Sequence, residues 1–290
     1  MTLEQLRIFI CVAEREHMTR AAETLNLTQS AVSSAIAALE SRHDVRLFHR
    51  VGRGIELTDT GRAFLAEARA VLGRAHTAEL ALADFAGLER GTLSLVASQT
   101  IASYWLPAVL ARFSTLYPRI TVQLGIANTE GAAAKVSDGS AELGFVEGLI
   151  DDPALARWQV GEDELALVGS SPVPADADPD WIRSVPWVLR EPGSGTRSTF
   201  ETALKAMGIA PETLHVAMTL PSNEAVRGAV EAGVGNSVLS TLVVDPSLRA
   251  RTLHRIPLQL DPRPFYGLRH KERYRSKAAD TLLDLLAAPA

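Results

Sequence analysis

Between residues 3 and 39 apolar side chains recur at the helical interval in three short runs, each opened by a hydroxyl residue. Leu6, Phe9, Ile10 and Ala13 form the first stripe, behind a Thr2-x-x-Gln5 capping box, and predict a helix over Thr2–Arg15. Met18, Ala21, Ala22 and Leu25 form the second, predicting a helix over Thr19–Leu25. Asn26 and Leu27 then make a tight turn, and Thr28 is placed as N-cap of a third helix whose inner stripe is Val32, Ala35, Ile36 and Leu39. Two helices joined by so short a turn cross steeply, and the second projects its outer face away from the shared core. That outer face, Gln29, Ser30, Ser33 and Ser34, is polar yet uncharged, within a stretch (TQSAVSSAIAAL) that has no charge at all.

The pattern then changes twice. VRLFHRVGRGIELTDTG predicts strand, turn and strand around Gly52 and Gly54, carrying Arg46, Arg50 and Arg53. Thr60–Ala86 reads as one long helix whose apolar positions Phe64, Ala68, Val71, Ala75, Ala78, Leu82 and Phe85 are spaced alternately by four and three, a heptad seam that calls for a partner helix. GLERG, residues 87–91, is a hinge by composition. Beyond it, short β-branched runs alternate with helices, the signature of an open α/β fold. TLSLVAS, ITVQLGI, AELGFVE, ELALVGS, PWVLR, HVAMTL and GNSVLS are the predicted strands. Ile101–Tyr117, Gly131–Asp138, Thr196–Met207 and Glu224–Ala232 are the predicted helices, and VGSSPVPADADPDW reads as a proline-rich surface loop.

Composition adds bounds. A chain of 290 residues, 47% hydrophobic, has room for two domains with ample core. It has no apolar run long enough for a membrane span, and MTLEQLRIF lacks the basic and apolar regions of a secretion signal, so a cytoplasmic location is expected. The single cysteine, Cys11, lies in an apolar helical stripe and reads as a buried structural thiol. A net charge of −5 argues against binding nucleic acid by bulk charge, and residues 1–90 hold eleven basic against twelve acidic side chains. All eleven are arginine, however, the cation that makes bidentate contacts to phosphate and guanine. Their placement therefore decides. The uncharged face of the third helix suits close approach to base edges in a major groove, with Thr28, Gln29, Ser30, Ser33 and Ser34 as the DNA-reading set. Arg50 and Arg53, on the wing, suit the phosphate backbone.

TRAAETLNLTQSAVSSAIAALE followed by RLFHR and ELTDTG is similar to the winged helix-turn-helix of LysR-type transcriptional regulators over roughly sixty residues. It departs at His43 and Asp44, where the family has an apolar residue and then glycine; aspartate tolerates the left-handed turn this position needs. The resemblance implies a DNA-binding head over residues 1–59, a linker and dimerisation helix over 60–87, and an effector-binding α/β domain over 88–290. That domain would have two Rossmann-like lobes joined by crossing strands, as in periplasmic solute-binding proteins: lobe I over 91–162 and 264–290, lobe II over 163–263. Pairing is expected through Phe64, Val71, Leu82 and Phe85, giving a dimer or a tetramer. Expected partners are double-stranded promoter or operator DNA, a small anionic effector and RNA polymerase, with no cofactor, no metal and no membrane.

Three strand-to-helix junctions are rich in small hydroxyl and amide residues: Ser98 and Thr100; Ser194, Thr196 and Arg197; Ser222 and Asn223. Ligands of open α/β sheets sit at such junctions, where helix N-termini favour anions, although ordinary N-capping produces the same residues. PGSGTR lacks the lysine of a nucleotide-phosphate loop. With ELGFVEG it resembles the effector pocket of LysR-type branches concerned with sulfur assimilation and carbon fixation, which puts a sulfur oxyanion first and a short carboxylate second. Glu147 is the awkward member of an anion pocket. Pairing with Arg197, binding an ammonium group, being protonated, or a purely structural role all stay open for it. A hydrolase using Ser194 is the alternative from another class, but G-x-S-x-G and any metal-ligating histidine spacing are absent. A free-standing solute-binding protein would leave the winged head unexplained.

Overall fold

The computed structural model describes residues 1–52, 54–85, 91–148, 150–173 and 177–287, with side chains for all but 83–85 of these. Arg53, most of the GLERG segment and the side chain of Phe85 lie outside the described residues. The chain divides into two compact units, the first built on Met1–Leu82 and the second on Ala83–Ser137 and Ala141–Ala290.

The first unit opens with α1 (Leu3–Arg15), where Thr2 and Gln5 form the reciprocal capping box read from the sequence. α2 (Met18–Leu25) starts one residue earlier than the Thr19 reading, because the Nδ1 of His17 accepts from the Arg20 N–H and serves as the cap. α3 (Gln29–His43) is capped by Thr28, whose Oγ1 accepts from the Ala31 N–H at 3.2 Å. Asp44 ends it in the left-handed region at φ 50°. β1 (Phe48–Val51) and β2 (Gly54–Leu57) pair antiparallel as the wing. Arg46 therefore stands before the wing rather than on its strand, its guanidinium 3.4 Å from Glu40. Glu40 also accepts the N–H groups of Leu47 and Phe48, tying the wing's first strand to the end of α3. Leu6, Phe9, Val12, Ala21, Val32, Ile36, Leu39 and Leu57 close one core, with Cys11 buried at its edge and its thiol pKa raised, chiefly by burial.

α4 (Asp59–Phe85) leaves this core. A Cβ at Gly61 would sit 2.1 Å from the Leu47 carbonyl oxygen, so only glycine lets the helix pass the wing. The heptad positions divide by surroundings. Phe64 packs on Phe9, ring centroids 4.9 Å apart, and Ala68 is buried in the same head, an intramolecular role that the seam reading missed. Val71 and Leu82 are left 40% and 72% exposed.

The second unit has two lobes. In the first, β3 (Gly91–Ser98), a π-helical turn (Ile101–Trp105), α5 (Leu106–Leu116), β4 (Ile120–Ala127), α6 (Thr129–Asp138) and β5 (Leu143–Glu147) alternate; the turn and α5 together fill the helix predicted over Ile101–Tyr117. β6 (Leu155–Asp163) then leads out to the second lobe. There β7 (Leu165–Gly169), α7 (Pro179–Ser184), β8 (Pro186–Arg190), α8 (Gly195–Ala206), β9 (His215–Leu220), α9 (Asn223–Glu231), β10 (Ser237–Ser240), α10 (Thr241–Ala250) and β11 (His254–Arg255) follow. β12 (Arg263–His270) returns, and α11 (Lys277–Ala287) completes the first lobe. α7 begins inside the stretch read as a proline-rich loop.

The first lobe's sheet has the order β4-β3-β5-β12-β6, with β12 antiparallel to both neighbours. In the second lobe β10-β7-β11 and β8-β9 are joined by a bridge between Trp187 and Asn236, so the two pieces act as one layer. Each sheet carries an apolar cluster on both faces, which is why β5 and β7 are buried along their whole length. The crossing strands β6 and β12 were not among the predicted strands. Their register ends on Arg263 opposite Asp163, where the chain passes between lobes.

Candidate functional site

On the head, the outer face of α3 is open: Thr28, Gln29, Ser30 and Ser34 are exposed and Ser33 half-buried. Gln29 donates to the Ser33 hydroxyl at 2.8 Å, and the Thr28 and Ser30 hydroxyls lie 3.0 Å apart. This pre-orders a strip of uncharged donors and acceptors without using up its hydrogen-bonding capacity. Gln29 and Arg50 also line a groove of about 370 Å³ with His17, Met18, Thr19 and Gly52. The start of α2, the start of α3 and the wing thus converge on one concavity. Two helix N-termini and an arginine lining the same space are groups that favour an anion. Sequence reasoning missed His17 here, because a histidine cap carries no hydroxyl signature.

In the second unit, six of the seven proposed ligand residues are buried: Ser98, Thr100, Glu147, Ser194, Thr196 and Asn223, each at most 3% exposed. They stand at the ends of β3 and β5 and at the starts of α8 and α9. Two networks hold all of them but Ser194. In the first, the Arg190 guanidinium donates to Asn223 Oδ1, and Asn223 Nδ2 donates to Thr100 Oγ1 at 3.0 Å. Gln99 accepts from the Asn223 backbone and donates to Glu224, which also accepts from the Tyr104 hydroxyl at 2.9 Å. Burial, reinforced by the Glu224 carboxylate, raises the Tyr104 pKa and keeps that hydroxyl a donor.

The second network centres on a residue sequence reasoning missed. Arg263, 2% exposed, donates to Thr196 Oγ1 at 3.0 Å, lies 3.5 Å from Glu147 Oε1, and is paired with Asp163. Asp163 in turn accepts from the Ser240 hydroxyl at 2.9 Å, and the Ser98 hydroxyl donates to Glu147 Oε2. The Nε of Arg263 is buried with no hydrogen-bond partner among the described residues. Two carboxylates thus share one guanidinium in a dry place. Burial pushes the Asp163 carboxyl up, with Glu147 adding to the push, while Arg263 and Ser240 pull it down.

Arg197 does not join them. It pairs with Glu201 one helical turn on, at 2.7 Å, and donates to the Arg190 carbonyl. The pairing of Glu147 with Arg197 is therefore corrected: Arg263 takes that place. The N-terminus of α8 lies against Glu147, since a Cβ at Gly195 would meet its carbonyl oxygen at 2.3 Å and its Cγ at 2.7 Å. Ser194, the N-cap residue, makes no side-chain cap bond. The Ser98 hydroxyl and the buried Arg263 guanidinium accordingly reach the two oxygens of the Glu147 carboxylate, with the start of α8 packed against the same side chain. Nothing in this arrangement activates Ser194 as a nucleophile. Among the described residues no cluster of His, Cys, Asp and Glu could hold a metal, and no helix is long and apolar enough to cross a membrane.

A family model described as a bacterial regulatory helix-turn-helix protein of the lysR family matches residues 3–62, and one described as the LysR substrate binding domain matches residues 86–289. The "Uncharacterized HTH-type transcriptional regulator YeiE" of Escherichia coli (strain K12) is 34% identical over 289 residues, covering 98% of this chain and 96% of the relative. A "Probable RuBisCO transcriptional regulator" of Nostoc sp. is 31% identical, over 96% of this chain and 86% of the relative. Full-length CbnR, solved in complex with its target DNA, superposes with a TM-score of 0.68 at 24% identity, over 99% of both chains, a likeness of fold. A helix with an uncharged outer face beside a wing, followed by a two-lobed α/β unit, is thus matched part for part along nearly the whole length, and the chain belongs to the LysR family of DNA-binding transcriptional regulators, which are not enzymes.

Proposed function

We propose that this LysR-type regulator is controlled by a small oxyanion held between its two lobes, a sulfur oxyanion first and a short carboxylate second. The observation that carries the reading is the convergence of anion donors on one buried place: the uncapped start of α8, the Ser98 and Thr196 hydroxyls, and an Arg263 guanidinium with an unpartnered N–H. Ser194 immediately precedes Gly195, and the pocket would extend to Thr100 and Asn223, which are bonded to each other after β3 and at the start of α9; Arg197 pairs with Glu201 instead. Because the groups come from both lobes and both crossing strands, a bound anion would favour one arrangement of the lobes over another, and the DNA-binding heads would respond through α4. Two copies paired along α4, as a dimer or within a tetramer, would present two heads to one duplex, with RNA polymerase as the further partner on the promoter.

Calorimetric titration of the full chain with sulfite, sulfate, thiosulfate, phosphoglycolate and acetylserine tests the effector. At least one anion binds, and Thr100→Val with Thr196→Val weakens it by tenfold or more, since each charge-assisted hydrogen bond contributes about 1.5–3 kcal/mol. An anion that binds the double variant unchanged has its pocket elsewhere. Binding of apolar or cationic ligands only would remove the anion reading altogether.

On the head, Thr28, Gln29, Ser30, Ser33 and Ser34 read bases, while Arg50 and Arg53 hold phosphates. The two groups fail differently. Arg50→Ala weakens binding on every sequence and reduces the slope of log affinity against log salt by about one unit, whereas Gln29→Ala or Ser33→Ala costs about 1–3 kcal/mol chiefly at the preferred site. Equal losses on specific and random DNA for all three variants would reverse the assignment.

A further inference from the structure

We propose that Glu147 is the built-in occupant of the anion site, a carboxylate that holds the effector's donors and competes with the effector for them. The inference rests on the anion reading above and concerns how the site is regulated. The groups that hold the Glu147 side chain are of the kind an incoming oxyanion would use. Ser98 donates to one carboxylate oxygen, Arg263 lies 3.5 Å from the other, and Gly195 at the start of α8 is packed against the side chain itself. The Thr129 hydroxyl fixes the residue from behind by donating to the Glu147 carbonyl at 2.7 Å. A carboxylate 2% exposed among such donors is the intramolecular stand-in for a ligand of the same charge.

The charge count shows why it must yield. Charged groups reach this place from three strands: Glu147 from β5, Arg263 from β12 and Asp163 from β6. From α8 come only the uncharged Gly195 and Thr196, because Arg197 is turned to Glu201; from β3 comes Ser98 and from α6 Thr129. Two carboxylates against one guanidinium already leave an excess negative charge, and a bound dianion would leave three. An incoming oxyanion must therefore displace the Glu147 carboxylate from Ser98 and Arg263 before it can use them. Asp163 stays the fixed counter-ion, tied to Arg263 and Ser240 at the crossing of the lobes.

The test is calorimetric titration of the full-length chain and its Glu147→Gln variant with sulfite, sulfate, thiosulfate, phosphoglycolate and acetylserine at one pH. The variant binds at least one of these anions tenfold or more tighter than the wild type, as expected if an internal competitor holds about nine-tenths or more of the wild-type sites. Glu147→Gln keeps the shape and removes the charge, and its melting temperature reports whether it folds; should it not, Glu147→Met, uncharged and of similar length, takes its place. If an anion binds both proteins equally, Glu147 is no competitor and the anion reading survives. If none of the five binds either protein, the anion reading falls and takes the competitor with it.

Discussion

Val71→Asp, alone or with Leu82→Asp, turns the full chain into a single protomer in sedimentation and abolishes tight binding to DNA. The reason lies in where these side chains stand. Val71 and Leu82 are 40% and 72% exposed, so an aspartate at either position costs the isolated chain little. Paired along α4, the same residues would bury what is still exposed of their apolar side chains, a gain of about 0.5–2 kcal/mol apiece in each copy, and a carboxylate in their place would be stranded without a partner. Losing the second head also removes the avidity of two linked readers, about 10²–10⁴ in affinity. Circular dichroism should meanwhile be unchanged. A variant that sediments as the wild type would make α4 ordinary amphipathic surface, and with Phe64 already committed to Phe9 in its own head the seam would have no remaining support.

Arg263→Met is expected to destabilise the α/β unit by about 3–5 kcal/mol near neutral pH, because it leaves Asp163 and Glu147 buried without their shared cation. Trp105, Trp158, Trp181 and Trp187, the four tryptophans of the chain, all lie in that unit, so their fluorescence in urea reports it selectively. The pH dependence follows from Asp163, whose carboxyl is raised above its ordinary 3.8 by burial. A folded state that holds a proton longer than the unfolded chain is favoured most below that ordinary value, and the benefit is lost as pH rises through the folded pKa. Removing Arg263 raises the carboxyl further, so the deficit of the variant is smaller at pH 5 than at pH 8. Adding Asp163→Asn and Glu147→Gln to Arg263→Met should recover most of the loss, since no unpaired charge then remains. Equal stability of Arg263→Met and wild type at pH 8 would mean the carboxylates are not held by that guanidinium.

What could be read from the chain alone follows from how local each signal is. Periodicity and caps sufficed for α1, α3 and the wing because each is determined within a turn or two of its own residues. The cap of α2 escaped because His17 accepts through a ring nitrogen where a hydroxyl was sought. Apolar runs revealed the strands buried on both faces. β12 was missed because Arg263 lies between Pro262 and Pro264, which read as a loop; proline is tolerated there only because the strand is just beginning. The hydroxyl residues of the site were legible from their junctions, yet the cation was not. Arg263 meets Glu147 and Thr196 only through long-range folding, whereas Arg197 looked central by proximity in sequence. The spacing of Arg197 and Glu201, one helical turn apart, did carry a local warning that this arginine was already paired.

The most direct test of a regulator whose DNA grip is set by an anion between its lobes is a footprint of the full chain on the DNA upstream of its own gene, with and without an anion that binds calorimetrically. The account predicts that saturating anion changes the length of the protected region or the affinity by about 5- to 150-fold, the usual range of allosteric coupling, and that Thr100→Val with Thr196→Val abolishes the change while leaving the anion-free footprint intact. An identical footprint and identical affinity with the anion bound would contradict it.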